Sequence, residues 1–166
     1  PIASTTTIIW HATLNVPVTI AAPGLTTTLQ YNPAGQLVTL TQEDTTPVTV
    51  PYVTAGTTRT WIYTYTIGGL VDTIDGPLAG TGDTIDYDYN AAGQLTQVTN
   101  PDATFVRYGY DAAQRLTEIV DAAGNRMHYT LDAMGNRVAQ ALYDASGALA
   151  RGHTRVFDRL SRLAEA

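Results

Sequence analysis

The side chains that could do chemistry are few in this chain, and their spacing suits none of the common reactions. His11, His128 and His153 are its only imidazoles, and none has the H-E-x-x-H spacing or a comparable spacing for a metal. Cysteine is absent, which excludes disulfides and thiolate metal sites. There is no G-x-S-x-G nucleophile turn and no phosphate-binding glycine loop. We therefore predict no enzyme activity, no catalytic residue and no cofactor. A Ser/His/Asp site assembled from distant segments is the alternative that the sequence leaves open.

Four oxygen-bearing side chains crowd one short stretch, at Asp83, Asp86, Asp88 and Asn90. A calcium loop of the EF-hand type would need glycine at position 91 and glutamate at position 97, where the chain has alanine and glutamine. The aspartates at 86 and 88 alternate with tyrosines, so they fall on the opposite face of a strand. A solvated strand face is the prediction here, with no metal bound, and a calcium site is the alternative.

The tyrosines offer a third kind of chemistry, stacking against sugar rings. Residues two apart share a strand face, so the pairs Tyr87/Tyr89 and Tyr108/Tyr110, together with Tyr129, are predicted to form aromatic ladders on adjacent strands. Packing between strands explains such ladders without any ligand, since each pair contributes roughly 0.2–1 kcal/mol. A glycan-binding surface is the alternative.

The elements that must position these residues repeat every 21 residues, from Tyr87 to Tyr108 to Tyr129. Each repeat contains Asp or Asn followed three residues later by a small or turn-forming residue. Asp or Asn accepts a backbone N–H in such a turn, and glycine supplies the positive φ that closes a bulged hairpin. The turns predicted from this pattern are Asn32–Gly35, Asn90–Gly93, Asp111–Gln114, Asp121–Gly124, Asp132–Gly135 and Asp144–Gly147.

This spacing predicts an all-β chain of consecutive antiparallel hairpins, because two turns fit in each period and leave strands of six or seven residues. Residues 1–166 are expected to form a single repeat segment, with its strongest repeats over 87–137. Inserted loops are predicted at about 42–60, where Pro47 and Pro51 disfavour a central strand, and at 75–83. Five extra residues are expected as an insertion in the 142–155 hairpin.

Charge and hydropathy exclude two classes of partner. The net charge is −6 and the pI is about 4.7, which disfavours binding to nucleic-acid phosphates. No apolar run approaches the roughly 20 residues that span a bilayer. The chain starts at Pro1 without Met or a secretion signal, so we expect it to be a piece of a larger protein.

The pattern Tyr-x-Tyr-Asp/Asn-x-x-Gly-x-Leu resembles the YD repeat of RHS proteins. The best matches are Tyr87–Leu95, Tyr108–Leu116 and Tyr129–Arg137, and the resemblance extends upstream to the run from Trp10 to Leu37 and downstream over Arg155–Leu163. The chain departs from the pattern at Gln114 and Ser161, where Gly is expected, and at Leu131, where Tyr is expected. The structural repeat positions are Tyr31, Asn32, Gly35, Tyr87, Tyr89, Asn90, Gly93, Tyr108, Tyr110, Asp111, Tyr129, Asp132, Gly135, Asp144, Gly147, Phe157 and Asp158.

This resemblance implies a long sheet that spirals into a hollow shell around a C-terminal polypeptide toxin. Tc toxin C components, type VI secretion RHS effectors and teneurins are such families. The partners would be the remaining repeats of the shell and the enclosed polypeptide, in a bacterial effector that is secreted or exported. The aspartate-based self-cleavage motif of bacterial members is not found here, and no toxin domain follows Ala166. A cell-surface adhesion or glycan-binding module is the alternative function.

The two ends of the chain differ in charge, which bears on self-association. Residues 1–10 carry no charge, whereas Arg155, Asp158, Arg159 and Arg162 place charges near the other end. Charged edge strands resist pairing with other chains, so self-association is predicted through the first strand. The arginines could also line a partner helix, but the Phe157–Asp158 register favours one more strand and turn.

Overall fold

The computed structural model describes residues 5–47 and 51–165, in which every regular element is a β-strand. Two compact units are present, Pro1–Ile85 and Asp86–Ala166. None of the described residues belongs to a helix long and apolar enough to cross a membrane. The predicted all-β fold is confirmed.

The first unit contains six strands that pair in chain order. They are β1 (Thr7–Trp10), β2 (Pro17–Ala22), β3 (Leu25–Tyr31), β4 (Leu37–Asp44), β5 (Thr58–Tyr65) and β6 (Val71–Asp75). Every adjacent pair is antiparallel. The face opposite Tyr31 is rich in threonine, with the row Thr19, Thr28, Thr41 and Thr60 in register across four strands. Threonine suits such a face because it is β-branched and carries a hydroxyl for water.

The second unit continues the same pattern with shorter strands. They are β7 (Ile85–Tyr89), β8 (Leu95–Thr99), β9 (Phe105–Tyr110), β10 (Leu116–Asp121), β11 (Arg126–Leu131), β12 (Arg137–Tyr143), β13 (Leu149–Thr154), β14 (Val156–Phe157) and β15 (Leu163–Glu165). Strands β7 to β13 pair antiparallel in chain order, and β14 pairs with β15 in a separate two-stranded sheet.

The loops differ from the predicted ones in length. Strand β4 continues to Asp44 and β5 begins at Thr58, so the predicted loop over 42–60 is too long at both ends. Side-chain oxygens of Thr41 and Thr60 lie 3.1 Å apart across this pair, which shows that alternating threonines extend the strands into the predicted loop. The second loop lies between Asp75 and Ile85, close to its prediction. The predicted insertion at 142–155 lies within the β12–β13 hairpin, whose arms are Arg137–Tyr143 and Leu149–Thr154.

Burial is shallow because each sheet is a single layer. Tyr129, with 9% exposure, is the most buried hydrophobic side chain among residues 5–47 and 51–165. On β11 exposed and covered residues alternate, with His128 and Thr130 exposed on either side of Tyr129. On β7 the aspartates at 86 and 88 are exposed and the tyrosines between and after them are half-buried. The solvated face predicted for these aspartates is confirmed.

Candidate functional site

The residues that recur in this chain meet at the turns, and the turns fall into two sets. We call start turns those that follow the aromatic repeat position, which are Asn32–Gly35, Thr66–Gly69, Asn90–Gly93, Asp111–Gln114, Asp132–Gly135 and Asp158–Ser161. Return turns are those between them in the second unit, Asn100–Ala103, Asp121–Gly124 and Asp144–Gly147. Since strands alternate in direction, the start turns of one unit lie at one end of its strands and the return turns at the other.

Every turn of either set is closed by the same backbone bond. The N–H of the fourth residue donates to the carbonyl of the first, as from Gly93 to Asn90 at 2.9 Å and from Gly147 to Asp144 at 2.9 Å. The five predicted turns between Asn90 and Gly147 are thus confirmed, as is Asn32–Gly35. The turns Thr66–Gly69 and Asn100–Ala103 were missed, although Asn100 stands ten residues after Asn90 and could have been found from that spacing.

The first side chain caps the backbone inside every one of these turns except Asn100–Ala103, where Asp102 accepts the backbone N–H of Thr104 at 3.0 Å. Oδ1 of Asp132 accepts the N–H groups of Met134 at 2.9 Å and Asn136 at 2.8 Å. Oδ1 of Asp144 accepts those of Ser146 and Ala148, both at 2.9 Å. Hydrogen bonds to a carboxylate favour its charged form, and they lower the pKa of these groups below the ordinary value. The largest single cause is the Asn136 side chain for Asp132 and the Ser146 side chain for Asp144.

His11 performs this capping role in the first unit. Its Nδ1 accepts the backbone N–H groups of Thr13 at 3.2 Å and Leu14 at 3.1 Å, and the backbone N–H of His11 donates to the carbonyl of Val16 at 2.9 Å. The imidazole therefore takes the place that Asp or Asn has in later turns, directly after the aromatic Trp10. This role was not foreseen, and the signal was the aromatic-polar pair at residues 10 and 11.

Three start turns are joined to the next start turn by the side chain that directly follows the turn. Nε2 of Gln36 donates to the carbonyl of Gly69 at 3.0 Å, and Nε2 of Gln94 to that of Gln114 at 2.7 Å. Nη1 of Arg115 donates to the carbonyl of Asp132 at 2.9 Å. In each case the donor belongs to one start turn and the acceptor to the next start turn of the same unit. We call this set of bonds the turn relay.

The tyrosine before a start turn adds a second link between hairpins. The hydroxyl of Tyr110 donates to the carbonyl of Leu95 at 2.8 Å, and that of Tyr65 to the carbonyl of Leu37 at 2.7 Å. Tyr31 donates to the carbonyl of Pro17 at 2.9 Å in the same manner. Each acceptor stands just after the preceding start turn. Leu131 and Phe157 occupy this position without a hydroxyl and cannot form the bond.

Two start turns hold a non-glycine residue at the position where φ is positive, Gln114 at 63° and Ser161 at 58°. A side chain costs about 1–2 kcal/mol in that conformation. Both turns also have arginine directly afterwards, and its Nε donates to the capping aspartate, at 2.7 Å from Arg115 and 2.8 Å from Arg162. The Arg–Asp clamp holds the turn where glycine is missing.

The tyrosines and histidines are not brought together into a binding or catalytic cluster. Tyr87 lies opposite Val98, and Tyr108 opposite Ile119. The aromatic residues therefore lie on every second strand, so the prediction of ladders on adjacent strands is wrong. The aliphatic β8 and β10 intervene because each period contains two strands. His128 pairs with Ala141, and His153 with the neighbouring Gln140, which puts the two imidazoles on opposite faces.

The acidic stretch gives no metal site within the described residues, where no group of three or more His, Cys, Asp or Glu side chains is placed to hold an ion. Oδ2 of Asp83 accepts the N–H of Leu78 at 2.8 Å. Oδ1 of Asp75 accepts the hydroxyl of Thr84 at 2.5 Å. These hydrogen bonds stabilise the loop that precedes β7.

Comparison with known families also indicates a repeat, as the recurring turns do. Residues 89–126 and 110–149 match the family model of the RHS repeat. This stretch, residues 89–149, is similar to RHS repeats. It contains two of the turn-relay bonds, from Gln94 and Arg115, so part of the relay lies in the residues that carry this similarity.

Solved structures show where this fold occurs. The crystal structure of TcdB2-TccC3-Cdc42 is similar at 16% identity and a TM-score of 0.51, over 96% of this chain and 10% of that one. The Tc holotoxin pore of Photorhabdus luminescens, with TccC3 carrying D651A, is similar at 15% identity and a TM-score of 0.47, with the same coverage. The chain thus spans about a tenth of the structures it matches. No curated protein matches it.

Proposed function

We propose that this chain is a segment of an RHS shell that encloses a C-terminal polypeptide toxin in a secreted bacterial effector. Both units would belong to that single segment, and its partners would be the remaining repeats and the enclosed polypeptide. The observation that carries this proposal is the turn relay, because in three places it links one start turn to the next by a bond that further repeats can continue. A structure built by adding identical neighbours is the kind that walls off a large volume.

The shallow burial supports a wall as well. Only Tyr129 falls to 9% exposure among the described residues, so the sheet has two faces and no second layer packed on either one. The role is passive, and neither the histidines nor the acidic stretch has the geometry of a catalytic centre. Turnover of a substrate that disappears on changing His11, His128 or His153 would contradict it.

Protease protection in the parent protein tests the enclosure. We expect the polypeptide enclosed by the repeats to resist protease in the wild type. It should become sensitive when two links of the wall are broken in one variant, Tyr110→Phe with Arg115→Gln. The matched control is Tyr143→Phe with Asn125→Ala, which changes the other end of the hairpins. Equal digestion in the wild type and in free solution would show that the repeats enclose nothing.

The alternative is a glycan-binding module, which the tyrosine face would serve. Binding of the chain to a glycan array, lost on Tyr87→Ala and Tyr108→Ala, would favour it over the shell. The separation of these rings by aliphatic strands favours packing over sugar stacking.

A further inference from the structure

The start turn Asp158–Ser161 repeats the geometry of Asp111–Gln114, but among the described residues no later start turn lies beside it. Both turns hold a non-glycine residue at positive φ, and both have an arginine whose Nε donates to the capping carboxylate. Arg115 also reaches the next start turn, through Nη1 and the carbonyl of Asp132 at 2.9 Å. Among the described residues, none outside its own turn accepts a hydrogen bond from the guanidinium of Arg162. The side chain of Arg162 is accordingly 73% exposed, against 35% for Arg115.

The strands that follow the two arginines differ in the same way. Strand β10 follows Arg115 and pairs with β9 on one side and β11 on the other. Strand β15 follows Arg162 and pairs, within the described residues, with β14 alone. Leu163, which holds the repeat position of Leu116, is 56% exposed, while Leu116 is half-buried. A donor, a strand edge and an apolar side chain thus lie unpartnered together.

We propose that Arg162 and the edge of β15 form a docking surface for one further hairpin of the same Asp/Asn-x-x-Gly kind. The guanidinium donates to the backbone carbonyl of the first residue in the incoming turn, as Arg115 does to Asp132. The incoming strand pairs with β15 and covers Leu163. Arg162 keeps its bond to Asp158 throughout, because the planar guanidinium has several donors in a fixed fork. This inference rests on the proposed shell, and it names the residue that receives the next repeat.

A one-period extension of the chain tests the proposal. The sequence of residues 117–137 is fused after Leu163, in place of the last three residues, because Leu116 and Leu163 hold the same repeat position. The added segment supplies one strand, a return turn, a second strand and a start turn with its acceptor carbonyl. Arg162→Gln and Arg162→Lys are made in the original and the extended chain. Arg159→Gln is the matched control, since Arg159 lies in the same turn and is exposed.

The expected result has two parts. Amides of the added hairpin become protected from hydrogen exchange, and Arg162→Gln shifts the urea midpoint at least twice as far in the extended chain as in the original. Arg162→Lys behaves like Arg162→Gln, because an ammonium keeps the charge without the fork, and Arg159→Gln shifts both chains equally. Arg115→Gln is the internal standard for a filled relay position.

Two outcomes overturn the proposal, and they are distinguishable. If the added hairpin is protected but Arg162→Gln has the same effect in both chains, the arginine serves Asp158 alone, and the proposed shell stands without it. If the added hairpin stays unprotected in the wild-type extension, the surface does not accept a repeat, and the proposed shell loses its support as well.

Discussion

The two ends of the hairpins in the second unit have the same turns but different relations to their neighbours. At the start turns, Gln94, Tyr110 and Arg115 donate to carbonyls of the next or the preceding hairpin. At the return turns, the side-chain bonds of Asp121 and Asp144 stay within their own turns. Near the return turns the neighbouring strands β11 and β12 are linked by the guanidinium of Arg126, which lies over the ring of Tyr143 at 5.0 Å.

This difference separates two tasks that the repeat performs. Both ends close hairpins, and for that an Asx cap and a positive φ suffice. Some start turns also hold one hairpin to the next by a hydrogen bond, and this needs a side chain long enough to cross the space between strands. The residue after the turn is Gln at start turn 90 and Arg at start turn 111, both of which form such a bond. At start turn 132 it is Asn136, which among the described residues bonds only to its own Asp132, and at the return turns it is Thr, Asn or Ala. Hydrogen bonds between hairpins at the start turns leave the return turns free to accept longer strands, as in the β12–β13 hairpin.

Replacing a turn glycine that has positive φ should give the largest loss in the free energy of unfolding. Gly135→Val is expected to lower the free energy of unfolding by about 2 kcal/mol, since φ there is 90° and a β-branched residue resists positive φ. A Cβ at this position also lies 3.9 Å from Nη1 of Arg115, within reach of the relay. Gly147→Val at the other end, with φ at 83° and open space around it, should cost about 1 kcal/mol. Urea midpoints compare the two, and equal costs would show that the relay is insensitive to the turn.

Removing the hydroxyl of Tyr110 should give the next largest loss of stability. Tyr110→Phe deletes the bond to the Leu95 carbonyl and should cost about 1 kcal/mol. Tyr143→Phe is the matched control, because this ring lies under Arg126 at 5.0 Å and its hydroxyl forms no hydrogen bond to residues 5–47 or 51–165. Thermal unfolding of both variants is the measurement. A loss for Tyr143→Phe as large as for Tyr110→Phe would abolish the distinction between the two ends.

Shortening the relay should cost somewhat less. Gln94→Ala removes its bond to the Gln114 carbonyl and its contact with Asn90, for a loss of about 0.5–1 kcal/mol. Asn125→Ala removes one contact inside a return turn and should cost about 0.5 kcal/mol. Hydrogen exchange distinguishes the variants further. Gln94→Ala should lower protection in the 111 turn as well as in its own, whereas the effect of Asn125→Ala should stay local.

The hairpin order and most turns could be predicted from the sequence, because each turn is specified locally by Asp or Asn and a residue that tolerates positive φ. Asn100 was missed since Ala103 occupies the glycine position, yet φ at Ala103 is 64°. The loop over 42–60 was predicted too long because prolines and glycines were given more weight than the alternating threonines of β4 and β5.

The relay could not be predicted in the same way. It depends on which residues of separate hairpins come into register, and a residue such as Gln94 looks like any exposed polar side chain in the sequence. The position of the tyrosines on alternate strands also needed the pairing, since a period of 21 residues contains two strands and the repeat shows only one of them. Residues that act within a turn are visible in sequence, and residues that act between hairpins are visible only in the fold.

Acid should lower the stability of the start turns and the return turns alike, because both are capped by aspartates. This separates the closure of a turn from the hydrogen bonds that join one hairpin to the next. Hydrogen bonds lower the pKa of Asp111, first through the Arg115 side chain, and of Asp121, first through the Asn125 side chain. A carboxyl whose pKa is lower in the folded state adds stability above its unfolded pKa, near 3.9, and this stability is lost as pH falls through the folded pKa. We therefore expect unfolding midpoints to be flat above about pH 5 and to fall below about pH 4.

The variants Asp111→Asn and Asp121→Asn keep the capping oxygen and remove the titration. Each should reduce the loss of stability between pH 4 and the acid end, as followed by urea titrations at several pH values. A loss confined to one end of the hairpins would contradict a shared capping mechanism.

A gain in stability is expected where glycine is missing. Gln114→Gly relieves a side chain held at φ 63°, a strain of about 1–2 kcal/mol, but glycine also adds about 0.5–1 kcal/mol of unfolded-chain entropy. The net gain should therefore be between zero and about 1.5 kcal/mol. Ala103→Gly in a return turn, at φ 64°, should gain less, because the side-chain bonds of that turn described here stay within it, whereas Gln94 donates to the carbonyl of residue 114 at 2.7 Å.

The Arg–Asp clamp should also matter less once glycine is present, so Arg115→Ala is expected to cost less in the Gln114→Gly background than alone. A double-mutant cycle on urea midpoints measures this, and additive costs would mean that the clamp does not compensate for the missing glycine.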